Sequence, residues 1–510
     1  MAWGKTLLIA LAIIAGFAAQ PSIAAEKWLK AETKHFIIYS AGSREQLQKF
    51  AIQLEKFDAI LRRLTGSPPD EQPLRLPIYV LASAESVSSL TSDKSRSVAG
   101  FYRTSKYGSF AVANRARGTD KFDLKGDVVL QHEYAHHFMF RNFAYAYPAW
   151  YVEGFAEFVA TTEISADGTW TVGKPPLYRA YGLVLGRDLP IEKLLFSRPN
   201  GMQRDLVDIY YGRAWTLVHM LRNDKARAGQ LDTYLGSLGK GVPEREAAKA
   251  FGDLAALDQS LDRYLKEKHI AIVKGSAQLP YASELTIQEL DPVDSQLVAL
   301  GLRRRTGKEP DKTRDQLRAL ATANPSRASA WLELALAEQD LSAPDEVVAT
   351  RIVRLAAAEA AVDRALSADP RHGRANLLKA ELMMSWLDRE NQTGDDAWKR
   401  VRAYIAKANR ADVLDPAPLF TWYDSFQRQG VAPDKLASDG LALAFSLAPE
   451  ATDLRIGYAY DLARQKRFDE AFKLVEVVVR DPHNAEQGNA VLDQLKAMRD
   501  GRDGDDEPSV

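Results

Sequence analysis

"LQHEYAHHFMF" (residues 130–140) contains three of the eight histidines in this 510-residue chain. On a helix, His132 and His136 project from one face about 6 Å apart along the axis, so both imidazoles can reach one metal ion. Glu133 is rotated by about 100° from His132, which places its carboxylate beside that ion. The spacing therefore predicts a zinc site with a base for a metal-bound water, although the same residues also occur on ordinary helices.

A third ligand separates these two interpretations. The arrangement with Gly and His three and six residues after the second histidine is excluded, because Met139 and Asn142 occupy those positions. Downstream, "WYVEGFAEF" (150–158) carries Glu153 and Glu157 four residues apart on a second predicted helix. Two histidines and one glutamate form an accepted catalytic zinc set that leaves the fourth position for water.

Together the motifs "HEYAH" (132–136) and "WYVEGFAE" (150–157) resemble the gluzincin peptidases, which include aminopeptidases and smaller bacterial peptidase-MA-like proteins. The resemblance implies a zincin-like α+β catalytic domain with one Zn²⁺ ion on His132, His136 and Glu153. It also implies Glu133 as the general base and Glu157 as the carboxylate that holds His132 by its other ring nitrogen. The spacer of 16 residues between His136 and Glu153 is shorter than in the aminopeptidases, which leaves the subfamily open.

A hydroxyl donor for the transition state follows from the same resemblance. The segment "YYGRAWTLVHML" (210–221) is similar to the family segment in which a tyrosine precedes an apolar helix. By position Tyr211 is the match, and its neighbour Tyr210 is the alternative. A phenol with a pKa near 10 stays protonated and can donate a hydrogen bond to the developing oxyanion.

Gluzincins also use an edge strand that pairs with the substrate backbone. The segment "SFAVANR" (109–115) is predicted to be that strand, and the family's motif then falls on Gly108 to Asn114. The aminopeptidases carry a glutamate there that captures a free N-terminus, and this segment has none. The resemblance therefore favours an endopeptidase over an exopeptidase.

The remaining histidines are predicted to be structural. His137 lies about 100° from His136 and cannot share its ion without unwinding the helix, so it is expected to pack or to line the cleft. His219 lies in an apolar run and is expected to be a hydrogen-bonded core residue. No partners at metal-ligand spacing are found in the sequence for the other histidines, His35, His269, His372 and His483.

Bulk composition excludes several classes of protein. The net charge is -1, with 67 basic and 68 acidic residues, and nothing in this balance indicates binding to nucleic acid. The chain has no cysteine, which excludes disulfides, thiolate metal sites and a cysteine nucleophile. The hydrophobic content of 46% is ordinary for a globular protein.

Residues 1–25 are predicted to be a cleaved signal peptide. Lys5 precedes an apolar run from Leu7 to Ala19, and small residues follow up to Ala25. The run is too short to cross a bilayer comfortably, although an uncleaved anchor is the alternative. No second apolar run of membrane length follows. We therefore expect a periplasmic or extracellular protein without a membrane span in its mature chain.

The predicted catalytic domain covers residues 26–280. A mixed-sheet part, 26–115, contains strands at 35–40, 74–81 and 109–115 and a helix at 43–64 that begins after Ser43. A mainly helical part, 116–280, contains helices at 127–140, 148–162 and 210–224. This arrangement of a small sheet and active-site helices is the α+β class.

Residues 285–499 are predicted to be an all-α array that resembles tetratricopeptide repeats. Prolines follow predicted helices at Pro325, Pro370, Pro416, Pro449 and Pro482. The first two intervals are 45 and 46 residues, and the last two are 33 residues each, close to the tetratricopeptide period. An irregular helical bundle is the alternative. The acidic tail, 500–510, lacks apolar anchors and is predicted to be disordered.

The predicted function is that of an exported zinc metallopeptidase acting on a peptide or protein substrate. The helical repeats would present that substrate or bind a protein partner. Two alternatives stay open. One is a non-catalytic scaffold with an inactive peptidase-like domain, and the other is a zinc hydrolase of a non-peptide bond.

Overall fold

The computed structural model describes residues 27–70, 74–91, 99–143, 145–184, 189–266, 270–276, 284–342, 347–481 and 484–502. The predicted signal peptide and residues 503–510 of the predicted tail lie outside these ranges, as do His269, Pro482 and His483. None of the described helices combines the length and the apolar composition that a membrane crossing requires.

The first part of the chain combines strands and helices. Its strands are β1 (Leu29–Glu32), β2 (Phe36–Ser40), β3 (Leu76–Leu81), β4 (Phe101–Arg103), β5 (Phe110–Asn114), β6 (Glu163–Ile164), β7 (Thr169–Val172), β8 (Val273–Ser276) and β9 (Thr286–Glu289). Its α-helices are α1 (Arg44–Thr65), α2 (Ala84–Ser88), α3 (Gly126–Asn142), α4 (Ala149–Ala160), α5 (Ala180–Val184), α6 (Ile191–Phe196), α7 (Arg204–Asn223), α8 (Gln230–Gly239), α9 (Glu244–Ala247) and α10 (Leu254–Tyr264). An α/β region therefore precedes the rest of the chain, as the sequence predicts.

The second part is entirely helical over its described residues. Its helices are α11 (Pro292–Thr306), α12 (Pro310–Ala323), α13 (Ala328–Asp340), α14 (Val348–Ala368), α15 (Gly373–Arg389), α16 (Asp395–Ala411), α17 (Pro416–Arg428), α18 (Lys435–Leu447), α19 (Thr452–Arg464), α20 (Phe468–Arg480) and α21 (Ala485–Arg499). Each packs mainly against its neighbours in sequence, and we refer to α11–α21 as the helical array.

The main sheet is mixed, with the strand order β4-β5-β3-β2-β1-β9. Strands β2, β3 and β5 are mutually parallel, whereas β1, β4 and β9 pair antiparallel with their neighbours. A second sheet has the order β6-β7-β8. Because β9 pairs with β1, the predicted start of the repeats at residue 285 falls before a strand of the main sheet, and the helical array begins at Pro292.

The prediction of the edge strand is wrong. The segment 109–115 does form β5, but β5 lies between β3 and β4, and all five of its residues are buried. Among the described strands, β4 forms that edge, antiparallel to β5. With three residues, β4 is too short for an alternating pattern to reveal it in the sequence.

Helix α1 illustrates how local sequence sets an element. Ser43 caps its start by accepting a hydrogen bond from the Gln46 backbone N–H, as predicted. Gly66 ends it with a φ of 69°, a conformation that favours glycine. Its inner face contributes Phe57 and Ile60 to the core behind the main sheet.

Gly154 allows helices α4 and α7 to pack closely next to the predicted site. A Cβ atom on Gly154 of α4 would lie 2.5 Å from the Ala214 backbone oxygen and 2.8 Å from a methyl carbon of Val218, both on α7. Any larger residue would force the two helices apart. This crossing determines how close the carboxylates of α4 lie to the tyrosines of α7.

Candidate metal centre

Helices α3 and α4 bring His132, His136 and Glu153 together. The two Nε2 atoms of the histidines are 3.1 Å apart, and each lies 3.5 Å from Oε2 of Glu153. His136 and Glu153 are buried, with exposed fractions of 6% and 0%, and His132 is partly buried. These are the three atoms through which the group could bind one metal ion.

The triangle has the dimensions that a tetrahedral ion requires. Ligands at about 2.0–2.1 Å from a tetrahedral zinc lie about 3.3–3.4 Å from one another. The observed separations of 3.1, 3.5 and 3.5 Å lie close to that value on all three sides. The three side chains therefore fit one metal ion of this size.

His136 and Glu153 each shift the pKa of the other. Burial lowers the pKa of His136, but the charge and hydrogen bond of Glu153 outweigh burial and bring the pKa to about 9. Burial likewise acts to raise the pKa of Glu153, yet the two histidines hold it well below its usual range. A buried carboxylate thus stays ionised beside two imidazoles, ready to take a cation.

Glu157 lies behind His132, as the resemblance implies. Its Oε1 atom is 3.4 Å from Nδ1 of His132, so the ring's Nε2 is directed towards Glu153 and His136. The Tyr178 hydroxyl donates to Glu157 Oε2 at 2.6 Å, and Arg179 donates to Oε1 from Nε and Nη2 at 3.1 and 2.9 Å. Hydrogen bonds from Tyr178 and Arg179 therefore hold Glu157 in place behind the imidazole.

Tyr178 and Arg179 are site residues that sequence reasoning missed. Arg179 also donates to Asp208 of α7 at 3.2 Å, and its guanidinium lies 4.7 Å from the centre of the Tyr211 ring. Both residues lie in "PPLYRAYG" (175–182), which has no motif spacing to α4. Only the proximity of Glu157 in three dimensions identifies them.

The two candidate tyrosines have different surroundings. Tyr210 is fully buried, and its hydroxyl donates to the Ser197 carbonyl at 3.1 Å. The Tyr211 ring lies 6.1 Å from the His132 ring, on the side of the metal centre. Burial and the nearby charge of Glu153 raise the pKa of Tyr211 well above 10, so its phenol is protonated. The Tyr211 ring therefore lies beside the candidate centre, whereas the Tyr210 hydroxyl is bound to the Ser197 carbonyl.

Glu133 and His136 both line a cavity of about 330 Å³. Strand β4 contributes Tyr102 and Arg103 to its lining, and the helical array contributes residues such as Arg455. Glu133 is partly exposed at this cavity. Glu133 thus borders a cavity that is lined by both the α/β region and the helical array.

Close contact with α3 sets the position of β4 along this cavity. A Cβ atom on Gly100 would lie 2.3 Å from a methyl carbon of Val129 and 2.9 Å from the Val112 backbone oxygen. Glycine therefore lets the chain approach the helix that carries Glu133. Residues 99–104, which include edge strand β4, also contain no glutamate.

The described histidines outside the centre have structural partners. Nδ1 of His137 forms a hydrogen bond with the Tyr102 hydroxyl at 2.8 Å. Burial and nearby arginines lower the pKa of His137 to about 3, so its ring is neutral. His219 is a hydrogen-bonded core residue, as predicted, with Tyr264 and the Ala271 carbonyl each at 2.8 Å. His35 lies 2.7 Å from Glu55, and the side chain of His372 accepts from the Ala375 N–H at the start of α15.

A comparison with known proteins adds no relatives. No protein-family model matches the sequence, and no curated protein matches it. The chemistry of the centre is therefore inferred from the positions of its own side chains.

Proposed function

We propose that the chain is a zinc-dependent metallopeptidase whose zincin-like α/β region is followed by a tetratricopeptide-like array. One observation carries the proposal. The ligand atoms of His132, His136 and Glu153 form a triangle of tetrahedral size at the edge of a cavity that Glu133 also lines. A patch of histidines without a metal role would not require three converging atoms with buried partners.

Zinc is the metal that this donor set favours. Two imidazole nitrogens and one carboxylate oxygen are the ligands of several catalytic zinc sites, and they leave one position open. A set of oxygen ligands alone would favour magnesium or calcium, and a thiolate set is impossible without cysteine. When bound, a zinc ion would polarise a substrate carbonyl and lower the pKa of a water molecule.

The chain's own residues then transfer the proton, stabilise the oxyanion and orient the ligand His132. Glu133 takes the proton from the attacking water and gives it to the leaving amine as the C–N bond breaks. Tyr211 donates a hydrogen bond to the carbonyl oxygen as negative charge develops on it. Glu157 keeps the His132 imidazole in one orientation, and Arg179 keeps Glu157 in place.

We propose an endopeptidase of the exported class. An extended peptide would lie along β4 by strand addition, which places its backbone next to the cavity. The absence of a glutamate on residues 99–104 removes the family's anchor for a free N-terminus. The predicted signal peptide supports a periplasmic or extracellular location, and the 13-residue helices α17–α20 support the tetratricopeptide-like interpretation.

Cleavage of an unbiased peptide library by the purified mature protein tests this proposal. We expect cleavage that stops on addition of a chelator and returns with zinc. Retained zinc without any cleavage would contradict peptidase activity and favour a hydrolase of another bond. A protein that binds no zinc would favour the non-catalytic scaffold.

A further inference from the structure

We propose that the helical array forms the far wall of the substrate cleft and that Arg455 on it binds a carboxylate of the substrate. That carboxylate is either a free C-terminus or an acidic side chain near the scissile bond. The inference rests on the proposed function and extends it to substrate selection.

The geometry that supports this is a shared cavity. Glu133 and His136 of α3 line it, and so does Arg455 near the start of α19. Further wall residues come from α20 and the segment after it, namely Val477, Val478, Asp481 and Asn484. A substrate next to Glu133 would therefore also contact the array.

Polar contacts on both sides of the cavity hold α19 against the α/β region. Glu450, just before α19, accepts from Arg141 of α3 and from Ser109, both at 3.3 Å. Asp453 in the first turn of α19 accepts from the Lys106 backbone N–H at 2.8 Å, in the turn between β4 and β5. Arg455 is thus fixed relative to β4 and to the metal centre.

Arg455 forms no ion pair with the described residues, unlike Glu450, which lines the same cavity. It is 6% exposed, its Nη2 donates to the Pro449 carbonyl at 2.6 Å, and its guanidinium lies 5.1 Å from the centre of the Phe445 ring. No carboxylate oxygen of the described residues lies within 4.0 Å of that guanidinium. Glu450, in contrast, is paired with Arg141.

Arg103 on β4 adds a second guanidinium to the cavity. It donates to the Arg305 carbonyl at 3.1 Å and also forms no ion pair with a described residue. Burial lowers the pKa of Arg455 to about 10, so the group stays charged at neutral pH. Both arginines therefore have donor capacity for an incoming anion.

A carboxylate is the anion that fits this position. The planar guanidinium offers parallel N–H donors at the spacing of the two carboxylate oxygens, and removal from water strengthens the pair. Charge-assisted hydrogen bonds of this kind correspond to a preference of about 10- to 100-fold. Such a preference would select substrates among the many peptides that can pair with β4.

Peptide binding to the zinc-loaded Glu133→Gln protein tests the inference without turnover. Matched short peptides would carry a free C-terminus, a C-terminal amide, or a Glu→Gln change at each position. We expect affinity to fall about 10- to 100-fold when the recognised carboxylate is neutralised. Loss on amidation identifies the C-terminus, and loss on Glu→Gln identifies an acidic side chain.

In the Glu133→Gln protein, a second change, Arg455→Gln, should remove the preference for charged over neutral peptides. The control change Arg467→Gln should keep that preference. Arg467 is an exposed arginine just before α20 that pairs with Glu470 and does not line the cavity. If the Arg455 variant fails to fold, the comparison of charged and neutral peptides on the Glu133→Gln protein alone still tests for a carboxylate preference. Equal affinity for charged and neutral peptides would overturn the inference.

Two further outcomes separate this inference from the proposed function. Carboxylate-dependent binding without any cleavage by the zinc-loaded native protein would keep the inference and overturn the peptidase. Cleavage with no carboxylate preference would keep the peptidase and overturn the inference.

Affinity that depends on a free N-terminal amine would assign recognition to Glu450 and Asp481 and overturn the role of Arg455.

Discussion

Two buried glutamates, one in each region of the molecule, have opposite surroundings. Glu338 of the helical array is 1% exposed and pairs with Arg318 and Arg354, whose charges are permanent. Glu153 of the α/β region is 0% exposed and faces two imidazoles at 3.5 Å. Permanent cations around a carboxylate indicate a structural ion pair, whereas converging imidazole nitrogens indicate a place for a metal ion.

The largest expected effect is on catalysis in the α/β region. Glu133→Gln removes the base but no ligand atom, so we expect kcat to fall by about 10²–10⁴ while zinc stays bound. The matched control is Glu163→Gln, because Glu163 is exposed and pairs with Lys174. Kinetics on a cleaved library peptide together with metal analysis measure both quantities. Unchanged turnover in the Glu133 variant would rule out its role as the base.

The corresponding change in the array should affect stability alone. Glu338→Gln removes the buried negative charge that Arg318 and Arg354 contact, which we expect to cost about 1–3 kcal/mol in the free energy of unfolding. Zinc binding should be unaffected, because Glu338 has no contact with the metal centre. Denaturant unfolding and zinc titration check the two parts. A loss of zinc in this variant would break the distinction between the regions.

A pair of adjacent tyrosines separates catalysis from packing within the α/β region. Tyr211→Phe should lower kcat by about 10²–10³, because it removes a donor to the developing oxyanion. Tyr210→Phe should instead lower stability by about 1 kcal/mol, through loss of its hydrogen bond to the Ser197 carbonyl. Steady-state kinetics and thermal unfolding of both variants distinguish the roles. The reverse pattern would transfer the donor role to Tyr210.

The smallest effect concerns pH and zinc affinity. The pKa of His136 in the metal-free protein is about 9, so below that pH zinc must displace a proton from it. We expect the apparent affinity to fall about tenfold for each pH unit below 9, with about one proton released at pH 7. Competition with a chelator at several pH values measures this. A zinc affinity that is constant between pH 7 and 8 would show that the pKa of His136 is not raised.

The sequence predicts that the first residues of the centre lie together because that information is local. His132, Glu133 and His136 share one helical turn, and helix geometry alone places them together. Glu153 and Glu157 required a resemblance, because nothing in the spacing says that α4 lies against α3. Tyr178 and Arg179 lack a motif and were missed.

Long-range packing is what the sequence does not reveal. The contacts that bring Arg455 and Glu133 to one cavity join residues more than 300 positions apart, such as Arg141 to Glu450 and Lys106 to Asp453. The edge strand was assigned wrongly for a related reason. A three-residue strand is recognised by its pairing with β5, and pairing has no signature in so short a segment.

The zinc content of the purified protein tests the central claim most directly. After exposure to zinc and removal of excess ion, the native chain should hold about one zinc. Glu153→Gln, which keeps the shape of the side chain, should lose most of it, whereas Glu163→Gln should keep it. A native protein without zinc, or a Glu153 variant that holds zinc as tightly as the native protein, would contradict the account.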